Sequence, residues 1–334
     1  MQDVLFVLGA GASKCYGYPT GRELRTEITD LRWLGRHGNA NWDGWPNDGL
    51  NARRGRIQRH GKILEELGKS LSEHAAMAQG LLDSGCPSID TFVSTRPEFA
   101  EHAKLSIATA LLSRESCERL VAMETPGNWY EWLWNALVGT ASNPSKIDFG
   151  RIHLFTFNYD RSLEAYLFRA LRARFNLADD KAVEFLSKVH ISHAYGQLSD
   201  IGAFCNGSLP FAAGHAPAAK HVSLAASNLR LIPELRVNDS SSFGGAQMQI
   251  AKAKIVCFLG YGFDQLNDSR LGLSKVLALP ELQVQKTILA TSRGLRQGEV
   301  ELARQRSVGP DGVWATVNDD CLDAVRHWSH MLLP

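Results

Sequence analysis

Closely spaced cysteines are missing from this chain. The six that occur, at positions 15, 86, 117, 205, 257 and 321, come no nearer than 31 residues to one another. No C-x-x-C pair exists, which argues against a zinc ribbon. With no secretory leader in view, the thiols read as reduced and the protein as cytoplasmic. A long apolar run at the start is missing too. Val4 to Leu8 is too short to cross a bilayer, lacks a basic leader and meets glycine at once, so it reads as a core strand. Charge of one sign does not prevail. Lys and Arg number 36 against 35 Asp and Glu, a formal net charge of +1, which predicts no broad nucleic-acid surface. His190 with His193, and His327 with His330, have metal-like spacing. The second pair falls on a predicted terminal helix with no carboxylate or thiolate cluster beside it, and no metal is expected.

What is present is enough apolar sequence for a core. Apolar residues make up 44% of 334 and charged residues 21%, which suits one large domain or two smaller ones. Val4 to Leu8 runs into Gly9-Ala10-Gly11-Ala12-Ser13, the pattern of a buried strand entering a glycine-rich turn and then a helix. Such a turn can bring backbone N–H groups against a phosphate, because glycine has no Cβ in the way. Small residues also serve where a strand packs on a helix, and the turn alone does not separate the two readings.

Along the chain, Gly21 to Asp30 continues as a helix. Residues 35–61, with Trp42-Asp43-Gly44-Trp45-Pro46-Asn47-Asp48-Gly49 and the basic Arg53-Arg54-Gly55-Arg56, read as a long solvated loop. Residues 62–140 read as helical, on the stripe Ile63, Leu64, Leu67, Leu71, a helix start at Ser88-Ile89-Asp90, and the aromatic run Trp129, Tyr130, Trp132, Trp134. Strands are predicted at 152–157, 189–192, 255–259, 287–290 and 313–317, helices at 161–175 and 321–333. Residues 199–247 are hard to assign. Strands separated by helices imply a parallel sheet. The expectation is one α/β domain over 1–334, a doubly wound Rossmann-like sheet with a helical insertion at about 35–145 and no zinc ribbon.

In such sheets ligands bind beyond the carboxyl ends of the strands. Four predicted strands end in Gly9 to Ser13, in Thr156-Phe157-Asn158-Tyr159-Asp160, in Ser192-His193-Ala194-Tyr195-Gly196, and in Gly260-Tyr261-Gly262-Phe263-Asp264. A parallel sheet would gather these on one rim. Singly, each has a plainer reading. Asn158 or Asp160 could cap the next helix, His193 could be structural, and Gly260 to Gly262 could be a tight turn.

The ordered set resembles the sirtuin superfamily. That family opens with G-A-G-x-S, three residues, then G-I-P; here Gly9 to Ser13 is followed at the same spacing by Gly17-Tyr18-Pro19. Its T-Q-N-x-D is similar to Thr156 to Asp160, with Phe157 in place of Gln. Its catalytic histidine is similar in position to His193, and its later G-T-S to Gly260-Tyr261-Gly262. Its D-F-R is Thr20-Gly21-Arg22 here, and the four-cysteine zinc module of the protein deacylases has no counterpart. The early helical block, with Ser88-Ile89-Asp90-Thr91-Phe92, looks like the divergent bacterial sirtuin-like domains of anti-phage defence systems.

That resemblance implies hydrolysis of NAD⁺, as substrate, to nicotinamide and ADP-ribose, with no metal. It implies Asn158 and His193 as catalytic residues, Asn158 placing the ribose or the attacking water and His193 acting as general base or on a ribose hydroxyl. It implies nucleotide contacts from Gly9, Ala10, Gly11, Ala12, Ser13, Tyr18, Pro19, Thr20, Asp160, Gly260, Tyr261 and Gly262. A non-catalytic nucleotide-binding subunit and an NAD-dependent protein deacylase are the alternatives. The implied partners are further copies of the chain and a second defence protein, a HerA-type ATPase or an Argonaute-like protein, with the aromatic helices as candidate interface. Direct nucleic-acid or membrane binding is not expected.

Overall fold

Short apolar runs closed by glycine or polar residues set the framework. In the computed structural model, Val4–Leu8 (β1), Ile152–Thr156 (β2), His190–His193 (β3), Ile255–Leu259 (β4), Thr287–Thr291 (β5) and Val313–Val317 (β6) form one six-stranded sheet. The structure describes residues 4–35, 50–122, 125–212, 217–231, 234, 240–273, 286–308 and 312–332. All five pairings are parallel and the strand order is β3-β2-β1-β4-β5-β6. This is the order of a Rossmann-like doubly wound sheet. β1 and β4 lie at its centre and every residue of both is buried, as expected of parallel strands covered on two faces. β3 is an edge strand with His190 and Ser192 exposed.

Register places the strand ends side by side. Leu8 pairs with Thr156 and with Leu259, and Thr156 pairs with His193. The chain turns from β1 to β2 on one side and to β4 on the other, so the switch point of the sheet lies at the end of β1.

The described residues divide into two compact units, 1–18 with 117–194 and 237–334, and 19–116 with 195–236. The expected single insertion at 35–145 is therefore redrawn. It begins at Pro19, stops at Ser116 and is joined by a second excursion after β3. In the first unit the Trp129–Val138 helix packs against the Ser162–Phe175 and Cys321–His327 helices. Trp129, Tyr130, Leu133, Trp134 and Leu137 are buried in the core, and Trp132 is half-buried. The predicted closing helix breaks at Trp328 into Cys321–His327 and Ser329–Leu332.

The second unit is helical. Thr20 opens Gly21–Asp30 with a capping box to Glu23, and Ser70 and Ser88 cap Leu71–Asp83 and Ile89–Thr95. The Ala100–Leu112 helix packs on Ala219–Asn228. Part of the predicted 35–61 loop is the helix Leu50–Glu66, where Arg53 pairs with Asp30 at 3.0 Å. Residues 36–49 lie outside the described residues. The segment 199–247, unassigned from sequence, carries the helices Ile201–Cys205, Ala219–Asn228 and Ser240–Lys252.

Candidate active site

The turn after β1 is a 3₁₀ helix, Ala10–Tyr16, closed by Gly17 at φ +92°. Its position is fixed by the turn after β4. Gly9 N–H donates to Leu259 O at 3.0 Å and Gly11 N–H to Gly260 O at 2.9 Å. A Cβ on Gly9 would stand 2.5 Å from Gly260 O, and one on Gly11 2.8 Å from Gly260 Cα. Gly260 is itself in the left-handed region, at φ +57°, with Ala12 N and Gly11 where its Cβ would be. The close approach that these glycines permit is thus between two turns of the protein. The expectation that Gly9 and Gly11 offer their amides to a phosphate is corrected accordingly, because both N–H groups are taken by carbonyls. Gly262 differs, with open space around its Cβ position.

A second layer holds the turn from behind. Trp129 Nε1 donates to Ala12 O at 2.8 Å. The Tyr16 ring stacks on Tyr130 at 3.9 Å, and its hydroxyl donates to Asn128 Oδ1 and accepts from Tyr130 N–H, both at 2.9 Å. Tyr18 is buried, with its N–H 3.3 Å from Ser13 O. Tyr261 is buried as well; its hydroxyl donates to Asp268 at 2.9 Å and its ring packs on Phe157, 5.1 Å away. Pro19 and Thr20 belong to the second unit, where Thr20 is the helix cap.

Asn158 is the residue on which the rim converges. Its backbone N–H donates to Thr156 Oγ1 at 3.0 Å. Its side-chain Nδ2 donates to Gly9 O and to Ser13 Oγ, both at 3.0 Å. Gly9 O is an acceptor only, so the amide cannot be flipped. Oδ1 is left buried, with no hydrogen-bond partner among the described residues. Asn158 does not cap the following helix. Nor does Asp160: the N-cap is Arg161, without a side-chain cap, and Asp160, one residue before it, accepts from Ser162 N–H at 3.1 Å and from the Ser162 hydroxyl. Tyr130 OH lies 2.8 Å from Ser162 Oγ. Burial pushes the Asp160 carboxyl up from the ordinary range against these hydrogen bonds.

His193, at the end of β3, closes the set. Nδ1 is 2.8 Å from the Asn158 carbonyl and Nε2 is 2.6 Å from Glu164 Oε1. Burial alone would push the imidazole down. Glu164, with the Asn158 carbonyl and Asp160 behind it, outweighs burial and holds the ring above the ordinary histidine range. Nδ1 faces a carbonyl, which only accepts, so Nδ1 carries a proton, and Nε2 is occupied by Glu164. Glu164 was missed in the sequence. The signal was an acid between Leu163 and Ala165, inside the buried face of the Ser162–Phe175 helix.

Of the predicted site residues, the structure links Gly9, Gly11, Ala12, Ser13, Asn158, Asp160, His193, Gly260 and Tyr261 through contacts within the first unit. Ala10 opens the 3₁₀ turn between Gly9 and Gly11. Among the described residues there is no group of three His, Cys, Asp or Glu able to hold a metal ion, and no helix long and apolar enough to cross a membrane. No protein-family model matches the chain, and no curated protein matches it significantly.

Proposed function

We propose that this chain hydrolyses the nicotinamide–ribose bond of NAD⁺ and acts as an NAD⁺-depleting effector of anti-phage defence. The observation that carries this reading is Asn158 Oδ1, a buried acceptor with no hydrogen-bond partner among the described residues, at the switch point of a Rossmann-like sheet. An unmet buried acceptor costs about 1–3 kcal/mol, which a ribose hydroxyl or a water would offset. The reaction asks little else of the protein. The C1′–N bond breaks with its electron pair going to the pyridinium nitrogen, so nicotinamide leaves neutral without a general acid. Water adds to the oxocarbenium-like C1′ and gives up one proton, leaving ADP-ribose. What remains is to place the ribose and one water, the role proposed for Asn158. Gly262, with open space beside its backbone, and Ala10, at the start of the 3₁₀ turn, are the proposed nucleotide contacts of the turns.

The test is release of nicotinamide and ADP-ribose in equal amounts from NAD⁺ by the purified chain. Asn158→Ala and His193→Ala, folded as judged by circular dichroism, are expected to lose about 10²-fold or more in rate, the scale of a misplaced reactant. Full activity in both would refute the assignment. Loss of NAD⁺ harms the cell that makes the enzyme, so we propose control by self-association or by a second protein, a HerA-type ATPase or an Argonaute-like protein. The same assay repeated with that protein added examines this. A binding-only subunit is the second reading, favoured by the engagement of both His193 nitrogens. NAD⁺ binding without release, with the partner present, would establish it.

A further inference from the structure

Asn158 is anchored twice, and the two anchors differ in kind. Its side chain is held by neutral groups, Gly9 O and Ser13 Oγ. Its backbone carbonyl is held by a ring whose other nitrogen meets a carboxylate. A carbonyl oxygen accepts only, so Nδ1 must carry a proton. At the other nitrogen a carboxylate can only accept, so a bond from Nε2 to Glu164 Oε1 uses a second ring proton. His193 and Glu164 side chains are 8% and 12% exposed, and in such surroundings a charge-assisted bond of 2.6 Å is strong. We propose that Glu164 is a positioning residue that keeps the His193 ring a donor at both nitrogens. The ring then clamps the Asn158 carbonyl and leaves Asn158 Oδ1 as the group that meets the substrate. The inference rests on the hydrolase reading and gives His193 a part other than general base.

The other charges around the ring do not supply this role. Asp160 acts on the ring only through its charge, as the smallest influence, and its carboxyl is bonded to Ser162. β2 brings Thr156 in register with His193, and His153 is stacked on His190. The Ser240–Lys252 helix, packed on β3, has no ionisable residue except Lys252 at its end.

The sign of the pH profile separates a clamp from a base. A clamp works while the ring is protonated, so wild-type hydrolysis should fall on the alkaline side. Glu164→Gln brings an amide that can donate to a neutral Nε2 and leave Nδ1–H on the Asn158 carbonyl, so the alkaline fall should be lost in that variant, whereas Glu164→Asp should keep it. A base would instead lose activity on the acid side. The second readout is ¹⁵N NMR of the histidine-labelled full chain. Wild-type His193 should titrate above the ordinary value of about 6.5 and lower in Glu164→Gln. A chain that cleaves no NAD⁺ but shows this titration overturns the hydrolase reading and leaves the clamp standing. A wild-type ring that titrates at or below about 6.5, or an activity fall on the acid side that follows Glu164, overturns the clamp.

Discussion

At the scale of single residues, the rim is decided by atoms that are absent and by one that is unspent. Gly9, Gly11 and Gly260 let two turns meet backbone to backbone, and no side chain can replace them there. Gly260→Ala forces a Cβ onto Ala12 N and Gly11 at a left-handed φ. We expect it to lose about 3 kcal/mol or more in equilibrium unfolding, within the range of severe packing and backbone defects. Gly262→Ala is the control, expected within about 0.5 kcal/mol of wild type because its Cβ position is open. Equal losses in the two would mean that the turn-to-turn contact is not what the glycines serve. The glycines themselves were legible in the sequence. Their purpose was not, because a turn that packs on a phosphate and a turn that packs on another turn need the same missing Cβ.

At the scale of elements, legibility followed how cleanly each segment's pattern was bounded. Ile255–Leu259 and Val313–Val317 were read with their observed ends, since apolar runs stop there at glycine or polar residues. β3 was read one residue early because Val189, just before it, is apolar and buried. The Leu50–Glu66 helix was read as loop as far as Gly61 and as helix from Lys62 on. Its buried positions Ile57, His60, Gly61 and Leu64 have helical spacing, but a histidine and a glycine hold two of them. That histidine has a consequence. His60 and His74, on neighbouring helices, are buried with ring centroids 5.9 Å apart, and His102 lies 4.4 Å from His74. Burial pushes His60 down to about 3, and burial with His102 pushes His74 down to about 4. The unfolded chain takes up these protons below about 6.5 while the folded chain does not. Stability from each is therefore present above about pH 6.5 and is lost as pH falls toward 4, by up to about 1.4 kcal/mol per pH unit per histidine. His60→Phe removes one such group and should flatten the slope in urea unfolding between pH 6.5 and 4.5. An unchanged slope would contradict the assignment.

At the scale of the whole molecule, the parallel α/β sheet was legible and the division of the chain was not. Alternation of strand and helix implied the sheet, and the order β3-β2-β1-β4-β5-β6 then places the switch point at β1, beside the first glycine turn. The helical unit draws on two separate stretches, and 195–236 has too little apolar periodicity to be read as part of it. The site itself was half legible. Asn158, Asp160 and His193 stood out as polar residues at strand ends, while Glu164 was hidden in a helix face and Trp129 in an aromatic run. The central claim is that the rim built on Asn158 receives the nucleotide. The most direct measurement is a crystal structure of the chain with ADP-ribose. The account predicts Asn158 Oδ1 within ~3 Å of a ribose hydroxyl or of a water beside C1′, with His193 still on the Asn158 carbonyl. A nucleotide bound away from the ends of β1, β2 and β4, or an Asn158 Oδ1 that meets only protein, would contradict it.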